Sequence, residues 1–370
     1  MQLVQATRDA LLKTLSTVVG IVERRHTLPI LANVLIAKEG EQVSFLANDM
    51  EMQISTEADF GVGPESVATT VAARKLFDIL RALPDFDEVS LRLHDNKLIV
   101  QSAQSRFALQ TMEAGDYPRL TAPEQWGTTV TMGQKQLKGL LNTVYFSMAQ
   151  QDIRYYLNGM LFVIEPGWLR TVATDGHRLA HNAAAIEGVE QQSEVIVPRK
   201  TALELQRLLS DDEDEQIEIS VTDGQMRCRF SGVELITKLV EGKFPDYSRV
   251  IPQNYSRHFN LDRARFQGSL QRAAILTSDK FRGIRVQLEN NHMKVSATNA
   301  EQEEVREELE VEYAHEPLDV GFNVNYLLDV LSNVRSEEIR WSVHPDANAS
   351  VLITLPEEES FKYVVMPMRI

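Results

Sequence analysis

The 370-residue chain is predicted to be an α+β protein made of three tandem copies of one domain, each with two helices packed on antiparallel sheet. Three observations lead there. A pattern of helix, strand, turn and strand ends in an Asp or Asn step at Asp49, Asp175 and Asn299, spaced 126 and 124 residues apart, which is the length of a domain and not of a solenoid unit. Ahead of each step, apolar residues recur at intervals of three and four, the helical period. Behind it, they alternate, as in Val89, Leu91 and Leu93, which calls for antiparallel sheet with one covered face.

In the first copy the helix covers Arg8 to Val19, with Leu11, Leu12, Leu15 and Val18 on one face, and the step is LANDMEMQI at 46–54. A second helix, ARKLFDILRAL at 73–83, precedes three strand segments, VSLRLHD, KLIVQSA and SRFALQTM, within 89–112, and GDYPRL at 115–120 closes the copy. The second copy repeats this with a helix from Gln134 to Met148 carrying Leu137, Leu140, Leu141 and Val144, the step VATDGHRLA at 172–180, and a helix PRKTALELQRLL at 198–209. Pro198 suits a first helical turn, where its missing N–H costs nothing. GKFPDYSRV at 242–250 closes this copy. The third has a helix from Asp262 to Thr277 with Phe266, Leu270, Ala274 and Ile275, the step SATNAEQEE at 296–304, a helix VNYLLDVLSNV at 324–334, and the chain end YVVMPMRI. Loop-like stretches at 122–129 and 252–259 place the domains at 1–125, 126–253 and 254–370. The acidic run DDEDE at 211–215 reads as a solvated loop.

Composition narrows the function. Hydrophobic residues at 43% and charged residues at 25% describe a soluble globular chain. No apolar run approaches the roughly 18 residues of a membrane span, and the start, MQLVQATRDALLK, lacks the blocks of a signal peptide, so a cytoplasmic location is expected. A single cysteine, Cys228, excludes an internal disulfide and a cysteine cage for metal, and its strand-like flanks argue against reactivity. The net charge of -15 argues against nucleic acid until the charges are located. The six helical segments carry thirteen Lys and Arg against five Asp and Glu, a balance of +8. Glu favours helices as much as Lys does, so its depletion there points to a basic surface suited to loose, sequence-independent phosphate contact.

TVATDGHRLA at 171–180 has the makings of an acid/base site, with Asp175 two residues from His177. As a hydrolase it would need a nucleophile, but Thr174 has no obvious activating base, and no P-loop or zinc signature occurs. The first and third copies hold Asp49 and Asn299 at this position without the histidine. No catalytic residue, metal or cofactor is therefore expected. A scaffold with no nucleic-acid partner is the other alternative, and it would have no use for basic helices.

The motifs RYYLNGM (154–160), TVATDGHRLA, VIVPRK (195–200), KFPDYSRV (243–250), FRGIRV (281–286), EQEE (301–304), GFNVNYLLDVL (321–331) and YVVMPMRI (363–370) closely resemble, in order and over essentially the whole chain, the bacterial DNA polymerase III β subunit, the sliding clamp. The resemblance implies a head-to-tail homodimer ring of six domains, strands outside and twelve helices around a hole. Helices about 10 Å wide would form a circle about 38 Å across through their axes, leaving roughly 28 Å for duplex DNA and its water. It implies no catalysis and three sets of contacts. Ring closure would bring Phe107 and Leu109, on an edge strand, against Ile275 and Leu276, with Lys75 and Arg106 facing Glu301, Glu303 and Glu304. DNA would be touched by Arg25, in a short basic loop, and by Gln151, Arg154, Tyr155 and Tyr156. A pocket for short peptides of polymerases, the clamp loader and repair proteins would use Arg154, Tyr156, Leu157, Thr174, Gly176, His177, Arg178, Leu179, Pro245, Arg249, Val250, Asn323, Tyr326, Val364, Val365, Met366, Pro367, Met368 and Arg369. Met and Val would form an adaptable apolar floor, with Arg and His as rim donors. Asn348 stands where the family more often has an apolar pocket residue.

Overall fold

The computed structural model describes residues 1–23, 27–278 and 282–369. The first copy runs β1 (Gln2–Thr7), α1 (Arg8–Val19), β2 (Asn33–Glu39), β3 (Gln42–Asn48), β4 (Met52–Ala58), β5 (Val67–Ala72), α2 (Ala73–Ala82), β6 (Glu88–His94), β7 (Lys97–Ser102) and β8 (Ser105–Met112). The second has the same order: β9 (Thr129–Gly133), α3 (Gln134–Val144), β10 (Gly159–Glu165), β11 (Trp168–Thr174), β12 (Arg178–Ala185), β13 (Ser193–Pro198), α4 (Arg199–Leu208), β14 (Gln216–Val221), β15 (Gln225–Phe230) and β16 (Val233–Lys238). So does the third: β17 (Arg257–Asp262), α5 (Arg263–Ala274), β18 (Gly283–Glu289), β19 (His292–Thr298), β20 (Glu304–Glu310), β21 (Leu318–Asn323), α6 (Val324–Asn333), β22 (Glu338–Val343), β23 (Val351–Leu355) and β24 (Glu358–Val365).

All strand pairs are antiparallel, and the α+β expectation of two helices per copy holds. Strands that lead directly into helices were not separable by periodicity, because β1, β9 and β17 hand over to α1, α3 and α5 without a break. The caps mark the switch. Thr7 Oγ1 accepts from Ala10 N, and Asp262 Oδ1 from Arg265 N at 2.8 Å, satisfying helix donors that have no partner within the helix.

The helical stripes bury as the spacing demands. Leu11, Leu15 and Val18 of α1, Leu137, Leu140 and Leu141 of α3, and Phe266 and Leu270 of α5 are all buried. Three details differ from expectation. α3 ends at Val144 and tightens into a 3-10 turn over Tyr145–Ser147. Pro198 is the last residue of β13, not a helical one. Ile275 lies past the end of α5 and is 76% exposed, so it belongs to a surface and not to the core stripe.

Several of the helical cations also have structural work. Arg8 bonds the carbonyls of Leu80 and Arg81 and pairs with Asp9 and Asp85; Arg74 bonds the Val22 carbonyl, Arg199 those of Tyr145 and Met148, Arg263 those of Leu331 and Ser336. Counting charge thus overstates the basic surface, to which Lys13, Lys75 and Arg265 contribute exposed side chains.

The described chain forms two compact units, Met1–Lys135 with Arg207–Leu239, and Gln136–Gln206 with Val240–Ile370. The first contains a sheet ordered β1-β6-β7-β8-β5-β2-β3-β4-β16-β15-β14-β9, in which β4 of the first copy pairs β16 of the second, with Ile54 opposite Leu235. The second contains β13-β10-β11-β12-β24-β23-β22-β17 and β20-β19-β18-β21, and there β12 pairs β24, with Leu179 opposite Val364. Each seam between copies is a continuous sheet, which is why compactness divides the second copy between its neighbours.

At the first seam Tyr117 is buried against Ile30, Leu31, Leu35 and Leu46. Its hydroxyl donates to the Asn33 carbonyl and accepts from Asn48 N, both at 3.1 Å, and burial pushes its pKa up to about 12. Tyr117→Phe leaves two buried backbone groups unpaired, at a cost of about 1–3 kcal/mol. A lower urea midpoint with faster amide exchange at Asn48 is the expected result; a variant as stable and as protected as the parent would show that the hydroxyl carries nothing.

Candidate docking site

The second seam holds a groove of about 200 Å³. Its floor is the outer face of the β10–β12–β24 sheet, where Leu157, Leu161, Val163, Val172, Leu179, Ile196 and Val364 form one buried cluster. The segment after β16 folds over this face, adding Phe244 to the cluster and packing Tyr247 and Val250 against it. Arg154, Tyr156, Leu157, Thr174, Gly176, His177, Arg178, Leu179, Phe244, Pro245, Tyr247, Val250, Val364 and Met366 line the opening. Apolar walls with a few polar groups at the rim are the usual make-up of a ligand groove.

Local chemistry shapes the wall at 174–178. Asp175 Oδ1 accepts the backbone N–H groups of His177 (2.9 Å) and Arg178 (3.1 Å), and Oδ2 takes Arg178 Nε at 3.1 Å. Gly176 has φ +91°, a backbone conformation that favours glycine, and the Arg154 guanidinium packs against it, with Nη1 3.0 Å from where a Cβ would lie. Thr174 Oγ1 donates to the Arg178 carbonyl at 2.6 Å and accepts from Gly176 N at 3.1 Å. Asp49 does the same turn-holding in the first copy, accepting from Glu51 N and Met52 N, and Asn299 accepts from Glu303 N in the third.

These bonds remove the acid/base interpretation. Both oxygens of Asp175 are engaged by the turn and by Arg178, and none of these bonds goes to the His177 ring, which stacks on Tyr326 with centroids 6.4 Å apart. Thr174 hydroxyl is likewise committed within its own turn.

Arg178 is the knot of the wall. Besides Asp175 it bonds the Phe146 carbonyl at 2.7 Å and the Asp329 carboxylate, and its guanidinium lies 4.5 Å from the Tyr326 ring centroid. Burial alone would lower its pKa, but Tyr363, Asp329 and Asp175 around it hold it above the ordinary value. Arg154 at the rim pulls the Asp152 carboxyl down to about 2 through their hydrogen bond. His181 of β12 is stacked on Tyr247 and pushed down to about 4, chiefly by burial, so its own ring is neutral at ordinary pH.

Of the other pocket candidates, Tyr326 backs Arg178, Asn323 caps α6 by accepting from Asn325 N, and Val365 alternates with Val364 and so faces the opposite side of the sheet. Arg249 is exposed and pairs with Asp246 at 2.9 Å; Pro367, Met368 and Arg369 follow the groove-lining Met366, with Met368 N bonded to the Gly321 carbonyl at 2.8 Å. Asn348 sits in an exposed turn on Asp346 and is not among the lining residues. Phe244 and Tyr247 line the groove and were missed, although the aromatic residues flanking Pro245 in KFPDYSRV were a visible signal.

Among the contact candidates for DNA, Gln151 and Tyr155 are exposed on the loop ahead of the groove, Gln151 with φ +54°, while Arg154 and Tyr156 belong to the rim; Arg25 lies outside the described residues. For ring closure, β8 pairs β7 along its length but β5 only at Thr111 and Met112, leaving the edge at 105–110 open with Arg106 and Phe107 exposed and Leu109 half-buried. β20 pairs only β19, and Glu301, Glu303 and Glu304 are exposed at and before its start. Lys75 is exposed on α2, and Leu276 beside Ile275 is half-buried.

Three tandem domains joined by continuous sheet, with an apolar groove at the second seam and the Asp175 carboxylate spent on its turn and on Arg178, define a binding protein. Family profiles match throughout: the DNA polymerase III beta subunit N-terminal domain at residues 1–121, its central domain at 131–246 and its C-terminal domain at 248–369. The beta sliding clamp of Pseudomonas aeruginosa is 43% identical over 365 residues, 98% of each chain, and that of Escherichia coli K12 is 42% identical over the same span. A crystal structure of a Pseudomonas aeruginosa sliding clamp bound to griselimycin superposes over 100% of both chains with a TM-score of 0.95 and 42% identity. The chain belongs to the DNA polymerase III beta subunit family, the beta sliding clamps. As such it is a non-catalytic processivity factor.

Proposed function

We propose that two copies of this chain close head to tail around duplex DNA and that the second-seam groove takes short peptide segments of the replicative polymerase, the clamp loader and repair proteins. The domains doing this would be 1–125, 126–253 and 254–370. The single observation that carries the docking role is the groove itself: an apolar floor continuous with the sheet, closed on one side by Met366 and on the other by Phe244 and Tyr247. Its pocket residues are those given above other than Val365, with Phe244 and Tyr247 added. Ring closure is assigned to the open edges, with Arg106, Phe107, Leu109 and Lys75 of one copy meeting Ile275, Leu276, Glu301, Glu303 and Glu304 of the other. An apolar centre flanked by opposite charges suits a self-closing, head-to-tail joint.

Duplex DNA is held by enclosure, with Arg25, Gln151, Arg154, Tyr155 and Tyr156 touching it without reading sequence. No helix among the described residues is long and apolar enough to cross a membrane, and the working location is proposed to be the cytoplasm, at replication forks of the nucleoid. Loaded onto nicked circular duplex, the protein is expected to co-elute with it through gel filtration and to be lost when the circle is linearised. Equal retention on linear and circular DNA would show gripping instead of enclosure and overturn the ring.

A further inference from the structure

Arg178 lines the groove yet turns its charge away from it. Its side chain is 10% exposed; Nε goes to Asp175, Nη2 to the Phe146 carbonyl and Nη1 to Asp329, and the guanidinium plane is backed by Tyr326. Asp329 is on α6 and lines no part of the groove. The sixth position of the second helix is acidic in each copy, Asp78, Glu204 and Asp329. In the first copy Asp78 merely pairs with exposed Arg81 one turn on. In the third the same position reaches the second copy's pocket wall, so it is the repeat's residue put to a different use.

We propose that Asp329 determines the specificity of the docking groove: together with Asp175 it neutralises and withdraws the Arg178 guanidinium, so that an incoming segment meets an apolar wall instead of a buried cation. The physical argument is one of compensation. A guanidinium this enclosed must be paired, and an unpaired one draws whatever anion can reach it. With two carboxylates already on it, Arg178 has no use for a third, and an acidic side chain brought into the groove meets net negative charge. With Asp329 removed, one carboxylate remains, and a ligand carboxylate becomes a competent partner for Nη1. Asp329 is thus a positioning residue, acting through Arg178 and excluding acidic anchors more than it attracts apolar ones.

This rests on the groove being the docking site, and the test separates the two. The probe is the fluorescein-labelled C-terminal decapeptide of the cognate replicative polymerase, with a panel in which each apolar residue is changed singly to aspartate. Anisotropy titrations compare the parent protein with Asp329→Asn, Asp329→Ala and Asp329→Glu, each checked for unchanged melting and dimer sedimentation. At least one acidic probe should gain about 10-fold relative to the unmodified peptide in the Asn and Ala variants, the worth of one charge-assisted bond, and the Glu variant should keep the parent's preference. If all probes weaken by the same factor in Asp329→Asn, or none changes, Asp329 is only a structural residue and the proposal falls. Failure of the unmodified peptide to bind the parent protein would instead remove the docking role of the groove.

Discussion

Replacing Ile275 and Leu276 together by alanine is expected to convert the dimer into a folded monomer. Ile275 is 76% exposed beyond the end of α5, and Leu276 is half-buried beside it, so neither supports the core of its own copy, which is held by Phe266, Leu270 and Ala273. Full burial of a side chain of this size contributes about 1.5–3 kcal/mol. Loss of most of two such contributions at each joint would weaken it by about 3 kcal/mol, or roughly 100-fold in dissociation constant. A ring has two identical joints, so the penalty for closure is felt twice. Sedimentation should show a single species of half the mass at micromolar concentration, with melting unchanged. A dimer of undiminished stability would move the joint away from the end of α5.

Removing residues 366–370 should abolish docking while leaving the fold intact. Among 366–369 no residue is buried, and β24 ends before them at Val365. What these residues contribute is the last wall of the groove: Met366 is 42% exposed and is anchored by its N–H on the His177 carbonyl at 2.9 Å, and Met368 bridges to Gly321 on β21. Without them Val364 becomes the open edge of the floor, and an apolar side chain of a peptide loses one side of its enclosure. Binding of the polymerase-tail peptide is expected to weaken at least about 100-fold, the worth of one well-buried anchor. Retained affinity after the truncation would show that the peptide docks elsewhere.

Much of this molecule was legible in its residues. Helical spacing located α1, α2, α4 and α6 to within a residue or so, because each has a single apolar stripe and a polar remainder. The repeated Asp or Asn step marks Asp175 as a turn residue from sequence alone, and its bonds to His177 N and Arg178 N are those of Asp49 to Glu51 N and Met52 N. What periodicity could not convey was engagement. Arg8, Arg74, Arg199 and Arg263 count as positive charge in a sequence, yet they are tied to backbone carbonyls, and only the folded chain shows which cations are left for the surface. Arg178 is the same lesson at the groove: a residue expected to be a rim donor has its guanidinium nitrogens bonded to Asp175, Asp329 and Phe146.

The order of elements, the threefold repeat and the apolar floor were determined by the sequence alone, since they follow from residue type and spacing. Which seam would be open was decided by tertiary structure. The two seams share a register: Leu35 faces Leu46 as Leu161 faces Val172, and Lys238 N bonds the Glu51 carbonyl as Met366 N bonds that of His177. In the first seam Tyr117 is pinned by its hydroxyl to Asn33 and Asn48, Asn48 Nδ2 holds the Pro118 carbonyl at 2.9 Å, and Gln53 Oε1 holds Leu120 N at 3.0 Å, so the crossing segment is stapled onto the sheet. In the second, Phe244 has no hydroxyl, Thr174 spends its own on the turn, and Leu179 stands where Gln53 would bond, so these three tethers are absent and the crossing segment lies on the sheet by the packing of Phe244, Tyr247 and Val250, with the groove beside it. A hydroxyl and two amides tie down the crossing segment at the first seam and have no counterpart at the second, and their effect depends on buried distances that no linear pattern contains.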